Sequence, residues 1–78
     1  PPFKPKYEPA YVVHDHMIKE IQKREPELGY EEWCTEIDKA TQYWSELMLL
    51  CEDSWKVRRA IAGMKSYWNY RKINKKYT

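Results

Sequence analysis

His14-Asp15-His16 is the string in this chain best equipped for chemistry, because two imidazoles and a carboxylate can hold a metal ion or move a proton near neutral pH. On a helix, however, residues two apart point about 200° away from each other, so His14 and His16 converge only if the segment is extended. Cys34 and Cys51 could complete a four-ligand zinc set, but their spacing matches no metal or redox motif. The acids Glu31-Glu32 and Glu36 with Asp38 could supply a general acid and base. No nucleophile motif, glycine-rich phosphate loop or metal-ligand framework accompanies them. The residues therefore predict a non-enzymatic chain without metal or cofactor, in which the histidines open a solvated helix and the acids line a charged face.

Contact is the chemistry that the composition favours. The chain has 78 residues, of which 42% are hydrophobic and 33% charged, with four Trp and seven Tyr. That balance is too apolar for generic disorder. A chain this short buries only about 60% of its unfolded surface, so so many rings predict more apolar surface than one small core encloses. The longest apolar run, Leu47 to Cys51, is far short of the about 20 residues that cross a bilayer, so no membrane span is expected. Pro1 to Pro9 lack the basic start, apolar stretch and cleavage site of a secretory signal. Two thiols without a bridging pattern favour a reducing, intracellular compartment.

The elements that position these residues read as helical throughout. Pro1, Pro2, Pro5 and Pro9 predict an extended arm over residues 1–9, with Phe3 and Tyr7 as anchors on a neighbouring surface. Residues 10–78 form a single helical module. Val13, Met17, Ile18 and Ile21 recur at helical spacing and predict a short helix from Ala10 to Arg24. Glu25 to Gly29 breaks it, since Pro26 disfavours helix before it and Gly29 permits a left-handed turn. From Tyr30 onward, Trp33, Ile37, Ala40, Trp44, Leu47 and Cys51 alternate steps of four and three, which is a heptad seam. Val57, Ile61, Met64 and Trp68 repeat the spacing in a shifted phase.

Two all-α architectures fit. In the preferred one, Asp53 or Ser54 caps a third helix after a tight turn at Glu52 to Ser54, so that a short N-terminal helix lies across a helical hairpin. In the other, the absence of Pro and Gly between Gly29 and Gly63 lets one helix run from about residue 30 to 74, its coiled-coil seam buried on other chains.

Charge is divided along the chain. Residues 25–53 carry a net −8 and residues 54–78 a net +8, which the whole-chain value of +2 conceals. In a hairpin these charges would flank the apolar seam and select pairing and orientation. Arg58, Lys65, Lys72 and Lys76, with Tyr67 and Tyr70 interspersed, also suit a nucleic-acid strand, with phosphates on the bases and stacking on the rings.

One window bears on that second use. Asp38, Gln42-Tyr43-Trp44, Leu47 and Cys51 resemble a stretch near the C-terminus of the T4-type phage recombination mediators. The resemblance covers about a fifth of the chain, and the N-terminal portion shows nothing comparable. It implies a helical oligomer that binds single-stranded DNA and helps to load recombinase, and it transfers no site residues.

The leading expectation is a small accessory or assembly subunit that binds other protein chains, copies of itself included, through an aromatic-rich seam. Trp33, Ile37, Trp44, Leu47, Ile61, Met64 and Trp68 are the expected contact residues. A nucleic-acid-binding accessory protein that uses the basic C-terminal helix is the alternative.

Overall fold

The structure, a computed structural model, describes residues 5–77. A short 3-10 turn, Pro5–Tyr7, leads directly into α1, Glu8–Arg24. A second 3-10 turn, Glu25–Glu27, and an extended Leu28 connect to α2, Tyr30–Cys51, which is followed by α3, Trp55–Lys76. Of the arm expected over residues 1–9, Phe3 lies outside the described residues. Residues 5–9 are helical and not extended, because Pro9 sits in the first turn of α1, where a missing N–H leaves no bond unmade.

Gly29 also departs from expectation. Its φ of −68° and ψ of 165° are open to any residue, and it serves as the N-cap of α2, its N–H 3.4 Å from Glu32 Oε1. The reversal is made upstream, by the 3-10 turn and the bond from Leu28 N to Glu25 O at 3.1 Å.

The hairpin forms in preference to the single long helix. Glu52 (φ −162°, ψ 116°) and Ser54 (φ −143°, ψ 164°) are both extended, which stops α2 without glycine or proline. Ser54 Oγ then accepts a hydrogen bond from Val57 N at 3.3 Å and caps α3. Asp53 serves instead as the carboxylate partner of Arg58, at 2.5 Å.

Two buried clusters bind the helices together. Ala10 of α1, Trp44 and Met48 of α2, and Val57 and Ile61 of α3 meet near the Glu52–Ser54 turn. Ile21, Trp33, Ile37, Ala40 and Trp68 meet at the opposite end, and Met64 packs against both groups. Early α1 thus meets late α2, and late α2 meets early α3. The bundle runs up, down and up, with α2 antiparallel to both neighbours. Its extents are 35 × 21 × 20 Å.

Candidate interaction surfaces

The seam expected to face a partner is turned inward. Trp33, Ile37, Trp44, Ile61 and Trp68 are each at most 9% exposed. Leu47 and Met64 are half-buried and pack against the same clusters. The physical reason is the turn at Glu52–Ser54, which brings the chain's own α3 onto α2, so the stripe that a lone helix would offer to another chain is satisfied within this one. The Trp33 and Trp68 rings meet edge to face with centroids 6.4 Å apart, and Tyr11 and His14 close over Trp44 at 5.8 and 5.7 Å.

What remains outside is a different set. Leu50 is 83% exposed, Trp55 66%, Tyr70 63%, Ile73 58% and Tyr77 79%. Trp55, Arg59, Ala62, Ser66 and Ile73 lie along the side of α3 opposite Val57, Ile61 and Trp68, and all are exposed. Lys39, Tyr43, Glu46 and Leu50 form a similar outward stripe on α2. Seam periodicity drew attention to the inner residues. The outer ones had a weaker signal, since Trp55 is the tryptophan that fits neither four-three run and Leu50 stands only inside the apolar run Leu47 to Cys51.

The basic helix is only partly neutralised. Arg58 pairs with Asp53, Lys72 with Asp38, and Lys75 with Glu25 at 3.5 Å. Lys72 is consequently held at the α2–α3 seam, its side chain 16% exposed, and its carbonyl accepts from Tyr30 OH at 2.9 Å. Tyr67 OH accepts from Arg71 Nη1 at 2.6 Å, and the Arg71 guanidinium stacks near both Tyr67 and Trp68. Lys56, Arg59 and Lys65 are exposed and make no ion pair among the described residues. Of the residues expected to meet nucleic acid, Lys65 and Tyr70 are exposed, Lys76 is exposed with its ammonium 6.0 Å from the centre of the Tyr77 ring, and Arg58, Lys72 and Tyr67 have internal partners.

Tyr7, expected as an anchor of the arm, packs partly buried against this chain's first cluster. Lys6 lies over the Tyr7 ring at 5.3 Å and donates to Glu52, which also accepts from Ser54 Oγ. Those donors, Lys6 first, then Ser54 and Tyr7, pull the Glu52 carboxyl down to about 2. The helix separates the two histidines as residue spacing requires: His14 is buried and His16 exposed. Burial pushes the His14 imidazole below its ordinary value, against a weaker opposing effect of Asp15, and its Nε2 has no hydrogen-bond partner among the described residues. Cys34 and Cys51 are free, half-buried thiols at opposite ends of α2. A cleft of about 240 Å³ between α2 and α3 is lined by Asp38, Thr41, Gln42, Lys65, Trp68 and Asn69. Five of its six lining side chains carry a polar or charged group and Trp68 is the one aromatic, unlike the predominantly hydrophobic lining typical of small-molecule sites.

No family model, curated protein or solved structure matches this chain. The six positions that resemble recombination mediators divide between the two sides of α2. Trp44 is buried, Leu47 and Cys51 are half-buried, and Asp38, Gln42 and Tyr43 are exposed.

Proposed function

We propose that this chain is a small non-enzymatic accessory or assembly subunit that binds protein through the outward faces of its helical bundle. The observation that carries the reading is the exposed set Leu50, Trp55, Tyr70, Ile73 and Tyr77, large side chains that folding leaves in water. Aromatic side chains of this kind dominate binding energy at protein interfaces, because they bring large area at low entropic cost. The seam residues support this role indirectly, by holding α2 and α3 rigid so that the outer side chains are presented at fixed spacing.

The test is affinity purification of the tagged chain from its source beside a Trp55→Glu, Tyr70→Glu variant. A protein recovered in stoichiometric amount by the parent and lost by the variant supports the reading. Binding of a single-stranded oligonucleotide at low salt, weakened by Lys65→Glu and by added salt with no protein recovered, replaces it with the nucleic-acid alternative. Lys56, Arg59 and Lys65, free of ion pairs among the described residues, make that alternative worth the same experiment.

A further inference from the structure

We infer that the chain assembles with copies of itself, the outward face of α2 in one copy docking antiparallel on the outward face of α3 in the next. The inference rests on the protein-binding reading above and names its partner. Three matched positions carry it. Starting from the turn, α2 presents Leu50, Glu46 and Tyr43 at steps of four and three; α3 presents Trp55, Arg59 and Ala62 at the same steps. Laid antiparallel between two copies, Leu50 meets Trp55, the two side chains flanking the turn that are exposed at 83% and 66%. One step on, Glu46 meets Arg59, an acid and a base that have no ion-pair partner within the chain among the described residues.

At the third position a large ring meets a notch. Tyr43 is half exposed, and opposite it stand Ala62 and Gly63. Gly63 is exposed in the middle of α3, and a Cβ added to it would meet nothing within 4 Å. No packing inside the bundle therefore requires glycine there. A ring from a neighbouring copy would fill that space.

Charge selects this occupant over an α3–α3 contact. Residues 54–78 carry eight bases and no acid, so two α3 faces repel each other, whereas the α2 face sets Glu46 opposite Arg59. Because the two faces differ, the contact is head to tail, and copies add until the rotation closes a ring or, where it does not close, leave one face of each kind open. Growth is then stepwise and does not stop at a closed dimer.

Sedimentation of the full chain at low ionic strength tests the inference, with Leu50→Glu disabling the α2 face and Ala62→Glu the α3 face. Both positions are exposed, so the helical fold persists, as circular dichroism will show. Wild type is expected to grow in mass with concentration beyond a dimer. Each variant alone associates at least tenfold more weakly, which corresponds to about 1.4 kcal/mol. An equal mixture forms one dimer and nothing larger, because it contains one intact face of each kind. Trp55 emission shifts to shorter wavelength as the assembly forms. A wild-type chain that stays monomeric at all concentrations overturns the inference, as does self-association that both variants leave unchanged. Monomeric wild type that still recovers another protein through Trp55 and Tyr70 ends this inference and leaves the protein-binding reading standing. Loss of both removes the reading itself.

Discussion

Trp33 and Trp68 meet edge to face across the α2–α3 hairpin, their centroids 6.4 Å apart and their planes at 71°. Lys75 lies over the outer side of Trp33 at 5.0 Å. The pair closes the end of the bundle farthest from the turn, so it reports whether the hairpin is fully zipped.

Trp68→Ala is expected to cost about 3–5 kcal/mol, the usual range for truncating a buried Trp. A domain this size has roughly 4–12 kcal/mol in total, at 0.05–0.15 kcal/mol per residue, so the variant will lose a large share of its stability and unfold at a clearly lower urea midpoint. Urea titration followed by circular dichroism measures the loss. If Trp68→Ala unfolds at the parent midpoint, the hairpin described above is not the folded state.

The turn makes a smaller, local prediction. Ser54→Ala removes the acceptor for Val57 N and a donor to Glu52, and will lower stability by about 1 kcal/mol. Ser54→Thr, which keeps both the acceptor for Val57 N and the hydroxyl donor to Glu52, recovers most of that loss. Comparison of the three denaturation midpoints decides it.

Gly63→Ala is expected to raise monomer stability by up to about 1 kcal/mol, because the added methyl meets no neighbour and helix interiors favour Ala over Gly. A lower melting temperature would mean that α3 is not a regular exposed helix at that point.

Acidification should weaken the fold in two windows. His14 has a lowered value in the folded state, so below about 6.5 the unfolded chain binds the proton more readily and stability falls as pH drops. Glu52 titrates at about 2 when folded against an ordinary 4.5, so its contribution is present above 4.5 and is lost as pH falls through 2. His14→Leu should flatten the stability profile as pH falls below about 6.5, and Glu52→Gln between about 4.5 and 2. Denaturant midpoints measured across pH for each variant check both, and an unchanged slope in either window counts against the corresponding contact.

Helical character, the break at Glu25–Gly29, the start of α2 at Tyr30 and the four-three seam were all legible from residue types and spacing. Apolar period and proline position act locally, over a turn or two of chain. The cap at Ser54 was legible only as one of two options, because Glu52 and Ser54 stop the helix through extended dihedrals that any residue can adopt.

The direction in which the seam faces was settled by tertiary structure alone. Trp33, Trp44 and Trp68 have the same periodicity whether they pack on another chain or on their own, and periodicity carries no information about which helix lies opposite. The same holds for the charge division. Sequence alone placed eight bases in residues 54–78, but the fold decided that Arg58, Lys72 and Lys75 pair internally while Lys56, Arg59 and Lys65 make no ion pair among the described residues. Sequence thus determined which stripes exist, and chain reversal at Glu52–Ser54 determined which one is core and which one is surface.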